Sequence, residues 1–399
     1  MRMAEKKRKH PAKILLPVIL LLLTPLAAYA QYPDGEGPYD FDAGLEEEVE
    51  EQLDALGRDE LMGRVPEEAR ELLDEAGLYE MSPQNLLQMT PGDFFSALWR
   101  MALDALSKPA RTLAAMLGII LLCALLQSLG AAAWENALSG VFQTVSVLCI
   151  LTAVAAPVLS CIIRTTNTIR DASVFMLSFI PVFSASMVSA GQAVTGATYN
   201  LFLLGVCGLI SQIVAQTLIP LMSVYLALCI CGSFVPDFNI ASAASGIKSA
   251  VSWTLGFLLT LFVALLSIQT MLSQSADGVG LRATKFLINS LVPVVGSVLS
   301  EAYMAAQGCL RLVKTTVGVY GIIVALFIFL PTFLQVAAWY LATKIVAVAG
   351  DIAGAAEVSA VLKSCSNVLG LLIAVLFCFA LLVIVSTGVV IVAGMGISG

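Results

Sequence analysis

Between residues 101 and 399 the chain carries only 11 basic and 8 acidic side chains, about one charge in 16 residues. That scarcity constrains folding more than any motif. Apolar residues make up 59% of the 399, and the 30 glycines bring the total to about two-thirds. A soluble domain has about 45–50% by the same count and about 25% charged residues, against 12% here. A water-soluble globule cannot hide that much apolar surface. A soluble enzyme, a disordered chain and a coiled coil are excluded, leaving an all-α, polytopic transmembrane protein.

The remaining charges are segregated. Six of the 21 Lys and Arg lie in residues 1–13, and 19 of the 28 Asp and Glu lie in residues 31–100. The net charge of −7 therefore belongs to one segment. No folded part carries a basic surface, so no nucleic-acid partner is expected. The single histidine, His10, lies in a leader, so the mature chain has no imidazole for acid–base work or metal binding. The nine cysteines all sit in apolar stretches and read as small hydrophobes, Cys229 and Cys231 included. No disulfide framework, catalytic residue, metal site or cofactor is indicated.

Residues 1–30 read as a cleavable signal peptide, with Arg2, Lys6, Lys7, Arg8, Lys9 and Lys13, the apolar stretch Ile14–Leu23, and the small-x-small site Ala28-Tyr29-Ala30. An uncleaved anchor is the alternative, and either way residue 31 onward leaves the cytoplasm. Residues 31–110 form an acidic extracytoplasmic segment. Gln31–Gly44 is a linker, and Leu45, Val49, Leu53 and Leu56 then recur at helical spacing up to Gly57. Further helices start near Pro66, Ser82-Pro83 and Thr90-Pro91. The last carries an apolar stripe of Phe94, Phe95, Leu98, Met101, Ala102, Ala105 and Leu106, suited to a membrane surface, a partner or its own small subdomain. With few large apolar side chains before Phe94, this arm suits docking better than chemistry.

Residues 111–399 form the membrane body. Apolar runs predict spans near 112–133, 139–163, 172–190, 197–216, 217–234, 251–273, 317–343 and 368–394, each near the ~20 residues a crossing needs. About seven or eight spans result. The 197–234 stretch, with Gln212, Gln216 and Pro220 near its middle, reads either as a tight hairpin or as one span with a buried helix. Strict alternation puts Arg164, Arg170, Arg282, Lys285, Arg311 and Lys314 outside, against the preference of basic loops for the cytoplasm, so sidedness after the first span stays open.

Most membrane-body charges fall at predicted span ends, where they are ordinary interface residues. Buried amides such as Gln127, Gln143, Asn200, Gln212, Gln216, Gln269 and Gln335 either glue helices together or line a path. The most informative segment runs from Ser273 to Lys314. Asp277-Gly278 predicts a turn, Arg282 and Lys285 share a helical face, and Asn289 precedes an apolar run broken by Pro293 and Gly296 before Glu301. A broken apolar helix flanked by charges, here over about 276–314, is the pattern of a re-entrant element, with a surface-lying hairpin as the alternative. Asp277, Gly278, Arg282, Lys285, Asn289, Pro293, Gly296 and Glu301 are the candidate functional residues.

The same segment carries a resemblance. Ala276-Asp277-Gly278, Arg282, Lys285, Val292-Pro293-Val294-Val295-Gly296 and Glu301 resemble the signature of the stage III sporulation protein AE family. Signal sequence, exported segment, first span and total length are similar across essentially the whole chain. The acidity of 43–80 is greater than is usual in the family. The resemblance implies a non-enzymatic multi-pass subunit of a secretion-like channel complex between mother cell and engulfed forespore, needed for late forespore gene expression. It would lie in the mother-cell membrane around the forespore with its N-terminal segment extracytoplasmic. Implied partners are the other membrane proteins of the same sporulation operon, including an ATPase, and indirectly the forespore-side channel protein, besides membrane lipid and further copies of itself. The alternative function is a stand-alone permease for a small solute.

Overall fold

The computed structural model describes residues 43–78, 80–88, 91–133, 136–232, 240–291 and 296–395. The leader 1–30 and nearly all of the linker lie outside this set. The chain divides into two units, residues 1–50 and 51–399. The described part of the first is the opening of α1 (Ala43–Ala55); the architecture below is that of the second.

Among the described residues every regular element is helical. Three short helices, α2 (Arg58–Gly63), α3 (Glu67–Glu75) and α4 (Pro83–Gln88), form the arm. Proline sets the first-turn φ of α4, and Pro66 is the N-cap of α3. Gly57 (φ 85°) and Gly77 (φ 76°) take the left-handed conformation that separates one short helix from the next. Leu61, Val65, Ala69, Leu73, Leu78 and Met81 are buried, whereas the acidic residues stay exposed.

The body consists of α5 (Pro91–Ala133), α6 (Asn136–Ser189), α7 (Ala193–Ile213), α8 (Ile219–Gly232), α9 (Ile240–Leu291), α10 (Gly296–Ile352) and α11 (Ala356–Met395). Among the described residues six stretches are long and apolar enough to cross a membrane: Leu98–Leu122, Val145–Ser189, Ala193–Leu228, Ser245–Gly280, Ala306–Ile352 and Ala356–Ile391. The protein is thus a multi-pass membrane protein.

Several expected boundaries are not there. The spans predicted at 139–163 and 172–190 are halves of one 54-residue helix, α6, which runs through Pro157, Arg164, Arg170 and Pro181. The charges between the halves had marked a loop. Arg164 instead meets Glu68 of the arm, and Asp171 lines a cavity beside Pro66–Ala69, so these two charges are met without a turn in the backbone. Nor is 197–234 a hairpin: α7 passes into α8 through a π-helical turn, Val214–Leu218. Pro220 has no N–H to give to the residue 216 carbonyl, and the wider turn just ahead of it absorbs the mismatch without breaking the rod. The amphipathic helix after Thr90 likewise continues into the first span as α5, so the expected arm–body boundary at 110 falls inside a helix.

At ~1.5 Å per residue, α6, α9 and α10 are each about 80 Å long, far beyond the ~30 Å hydrocarbon layer. α6 and α10 run antiparallel: Phe179 lies at Gly321, Phe183 at Gly318, and Thr168 bonds Thr332 at 2.7 Å. α11 folds back along α10 through a turn at Gly354 (φ 78°), where the Ser359 hydroxyl donates to the Ala347 carbonyl at 2.9 Å. α9 lies along α11, with Lys248 donating to Asn367 at 2.9 Å.

The arm rests on the middle of this pair. Arg164 Nη2 meets Glu68 Oε2 at 2.7 Å, and Arg164 Nε donates to Thr332 at 3.3 Å. Tyr320 of α10 closes one wall of a cavity of about 330 Å³ whose other walls are arm residues, among them Arg70, Leu73, Asp74 and Leu78. A smaller cavity, about 180 Å³, lies between Pro66–Ala69 and Thr168, Asp171, Phe327 and Ile328.

Candidate functional site

The α6–α7 turn is where buried polar groups converge. Gly191 (φ 80°) reverses the chain, and the N–H of Gln192 returns to the Met187 carbonyl at 2.9 Å, closing α6. Gln192 then stands at the N-cap of α7, but its side chain caps nothing there. That role falls to Asp277, contributed by α9. Val194 N donates to Asp277 Oδ1 and Thr195 N to Oδ2, both at 2.9 Å. Two first-turn N–H groups are thereby satisfied by one carboxylate, placed where the helix dipole favours negative charge.

The Gln192 side chain instead accepts a hydrogen bond from Lys314 of α10. Lys314 is 3% exposed; its Nζ lies 3.0 Å from Gln192 Oε1 and 3.5 Å from the Val390 carbonyl of α11. A buried ammonium held by two neutral oxygens is costly unless the geometry binds it firmly. Lower in the seam, Thr198 pairs with Ser273 at 3.0 Å and accepts from Gln269 Nε2 at 3.1 Å. Tyr199 stands 3.5 Å from Thr387, and Ser184 donates to the Gly196 carbonyl at 2.8 Å. One turn is therefore tied by side chains to α9, α10 and α11. Thr270 Oγ1, Gln274 Nε2 and Arg311 Nε are buried near these residues in sequence and have no hydrogen-bond partner.

The arrangement is suited to fixing helices and holding one carboxylate and one ammonium at the end of the body. Among the described residues no three His, Cys, Asp or Glu come together, and Cys149, Cys161, Cys207, Cys231, Cys309, Cys365 and Cys378 are not in disulfides.

Of the residues singled out from sequence, Asp277 is central, though not as a turn: it and Gly278 are helical, within α9. The Asp-Gly signal fails because the carboxylate caps a different helix instead of its own backbone. Arg282 is exposed. Lys285 and Asn289 belong to α9, and Gly296 and Glu301 to α10, with side chains outside the described set. Pro293 lies outside the described residues, and so does the expected break at 292–295. Gln192 and Lys314 escaped selection. Lys314, the last charge before 29 uncharged residues, was the legible signal; Gln192 offered none beyond its place beside Gly191.

The family model of stage III sporulation protein AE matches residues 76–394, from the end of the arm through nearly all of α11. A curated relative, stage III sporulation protein AE of Bacillus subtilis (strain 168), is 25% identical over 236 residues. That alignment covers 58% of this chain and 58% of the relative. No solved structure matches. With the matched region embracing the Asp277 cap, the Lys314 contact and all six apolar stretches, the chain belongs to the stage III sporulation protein AE family.

Proposed function

We propose that the protein is a non-enzymatic membrane subunit of a channel complex joining mother cell and engulfed forespore. In this reading it sits in the mother-cell membrane around the forespore, N-terminal segment extracytoplasmic. It assembles with the other membrane proteins of its sporulation operon, an ATPase among them, and through them with the forespore-side channel protein. Family membership supports the sporulation role. The observation that carries the subunit reading is the arm's seat on α6 and α10: Glu68 on Arg164 makes an acidic, water-compatible module part of the membrane body. Such a module presents charge for docking while the buried seam keeps the helices in register.

The test is deletion of the gene in a spore-former, with complementation by a variant bearing Glu67→Gln, Glu71→Gln, Asp74→Asn and Glu75→Gln. The subunit reading expects arrest after engulfment in the deletion and failure of the neutralised arm to restore spores. The permease alternative draws on the buried seam, where Lys314 and Asp277 are 3% and 5% exposed. It expects full rescue by the neutralised arm and a solute-uptake defect in the deletion.

A further inference from the structure

Among the described residues eight side-chain nitrogen or oxygen atoms are shut off from solvent without a hydrogen-bond partner. Four of them belong to the two stretches that bond each other, 195–198 of α7 and 269–277 of α9: Thr195 Oγ1, Gln269 Oε1, Thr270 Oγ1 and Gln274 Nε2. Buried polar side chains are almost always paired, so four orphans in one seam call for a common partner. Helical periodicity gathers them. Gln269, Thr270, Ser273, Gln274 and Asp277 share one face of α9, while Ile268, Met271 and Leu272 on the other side are apolar and exposed.

The chemistry of the set says what that partner is. Asp277, 5% exposed, carries the charge of the seam. Each of its oxygens accepts one backbone N–H, from Val194 and from Thr195, which leaves a lone pair on each. No Lys or Arg of the described residues stands at ion-pairing distance from it; Lys314 gives its ammonium to the Gln192 and Val390 oxygens instead. A buried charge is normally paired or bound to a metal. Three of the four orphans are oxygens, and the Thr198–Ser273 hydroxyl pair, 3.0 Å apart, adds two more beside them. Carboxylate, hydroxyl and amide oxygens are the ligands of hard cations, not of zinc or copper. One carboxylate balances one positive charge, and a divalent ion would leave an excess charge in a buried place. Gln274 Nε2, a donor, stays outside such a shell.

We infer that the α7–α9 seam binds one alkali-metal cation through Asp277, Thr195, Gln269 and Thr270. The ion neutralises the buried carboxylate and ties the head of α7 to α9, so its binding adds to the closure of the seam. The inference goes beyond the sporulation-subunit reading, which stands whether or not the chain binds an ion.

The test uses the full chain purified in one detergent, with thermal unfolding followed in NaCl, KCl and choline chloride at equal ionic strength. Sodium or potassium raises the wild-type Tm over choline, saturably and by about 2–4 °C at ten times the Kd, because the ion binds only the folded state. Thr270→Val keeps the shape of the side chain and removes one orphaned hydroxyl. Were that hydroxyl idle, its loss would leave the alkali response unchanged and the Tm equal or higher in every salt. As a ligand, it weakens the apparent affinity for the alkali ion at least tenfold when removed. Asp277→Asn abolishes the response, whereas Ser275→Ala, on the exposed face of α9, keeps it. Asp277→Asn also weakens the cap of α7, so the difference between salts is read, not the absolute Tm; should that variant fail to accumulate, Thr270→Val decides alone. A wild type that unfolds at one temperature in all three salts overturns the inference. So does a Thr270→Val protein whose alkali response equals that of wild type.

Discussion

The Asp277 carboxylate lies 2.9 Å from the backbone nitrogen of Thr195, although 82 residues separate them in sequence. The bond makes α9 responsible for starting α7. Without it two N–H groups at the head of α7 lose their acceptor, and each buried unsatisfied group costs about 1–3 kcal/mol. Asp277→Ala should lower the Tm of the detergent-solubilised protein clearly. Asp277→Asn keeps one acceptor oxygen but loses the charge that complements the dipole, and should fall between. Equal Tm values for all three proteins would remove the cap from the account.

Lys314 tests the same turn from the opposite side. Lys314→Met fills similar volume and removes a buried charge, a replacement that is often close to neutral. It should accumulate in membranes at near wild-type level. Lys314→Glu sets a carboxylate against the Gln192 and Val390 oxygens, an uncompensated buried charge worth about 3–5 kcal/mol of destabilisation. Immunoblots of membrane fractions should show that variant depleted.

How far the sequence spoke differs between these two residues. Helical, membrane-spanning character was written in the uncharged runs, because burial in lipid permits few other solutions. Asp277 was legible as a member of the charged segment around a broken apolar run, and as half of an Asp-Gly turn. Its role was not, since a carboxylate that caps a helix 82 residues away leaves no local pattern. Helix ends were misread for the same kind of reason. Arg164 and Pro220 are loop signals by local chemistry, yet Glu68 answers the first from outside the helix and a π turn absorbs the second.

The Arg164–Glu68 pair is short, but its side chains are 36% and 67% exposed. Exposed ion pairs contribute about 0–1 kcal/mol, so the arm is not held by this contact alone. A double-mutant cycle with Arg164→Gln and Glu68→Gln, read by thermal unfolding, should give a coupling below about 1 kcal/mol. Phe327→Ala, which empties space at the buried arm contact, should cost more, in the range of about 3–5 kcal/mol.

Close packing of α6 on α10 rests on two glycines. A Cβ at Gly321 would run into the Phe179 ring, and one at Gly318 would lie 2.6 Å from Ile391 and 2.9 Å from Phe183. Phe175, Phe179 and Phe183 stack along α6 with centroids 5.4–5.6 Å apart, so one ring cannot yield without disturbing the next. Overpacking of this kind costs about 1–3 kcal/mol even for a methyl group. Gly321→Ala should therefore destabilise the protein, and Gly321→Leu should prevent the two helices from closing. Gly205 and Gly308 have nothing within 4 Å of an added Cβ. Alanine there should match or slightly exceed wild type, since it favours helix by up to ~1 kcal/mol over glycine. Thermal unfolding of the four variants in one detergent decides the matter: if Gly321→Ala tracks Gly308→Ala, the helices do not approach as closely as Phe179 and Gly321 require.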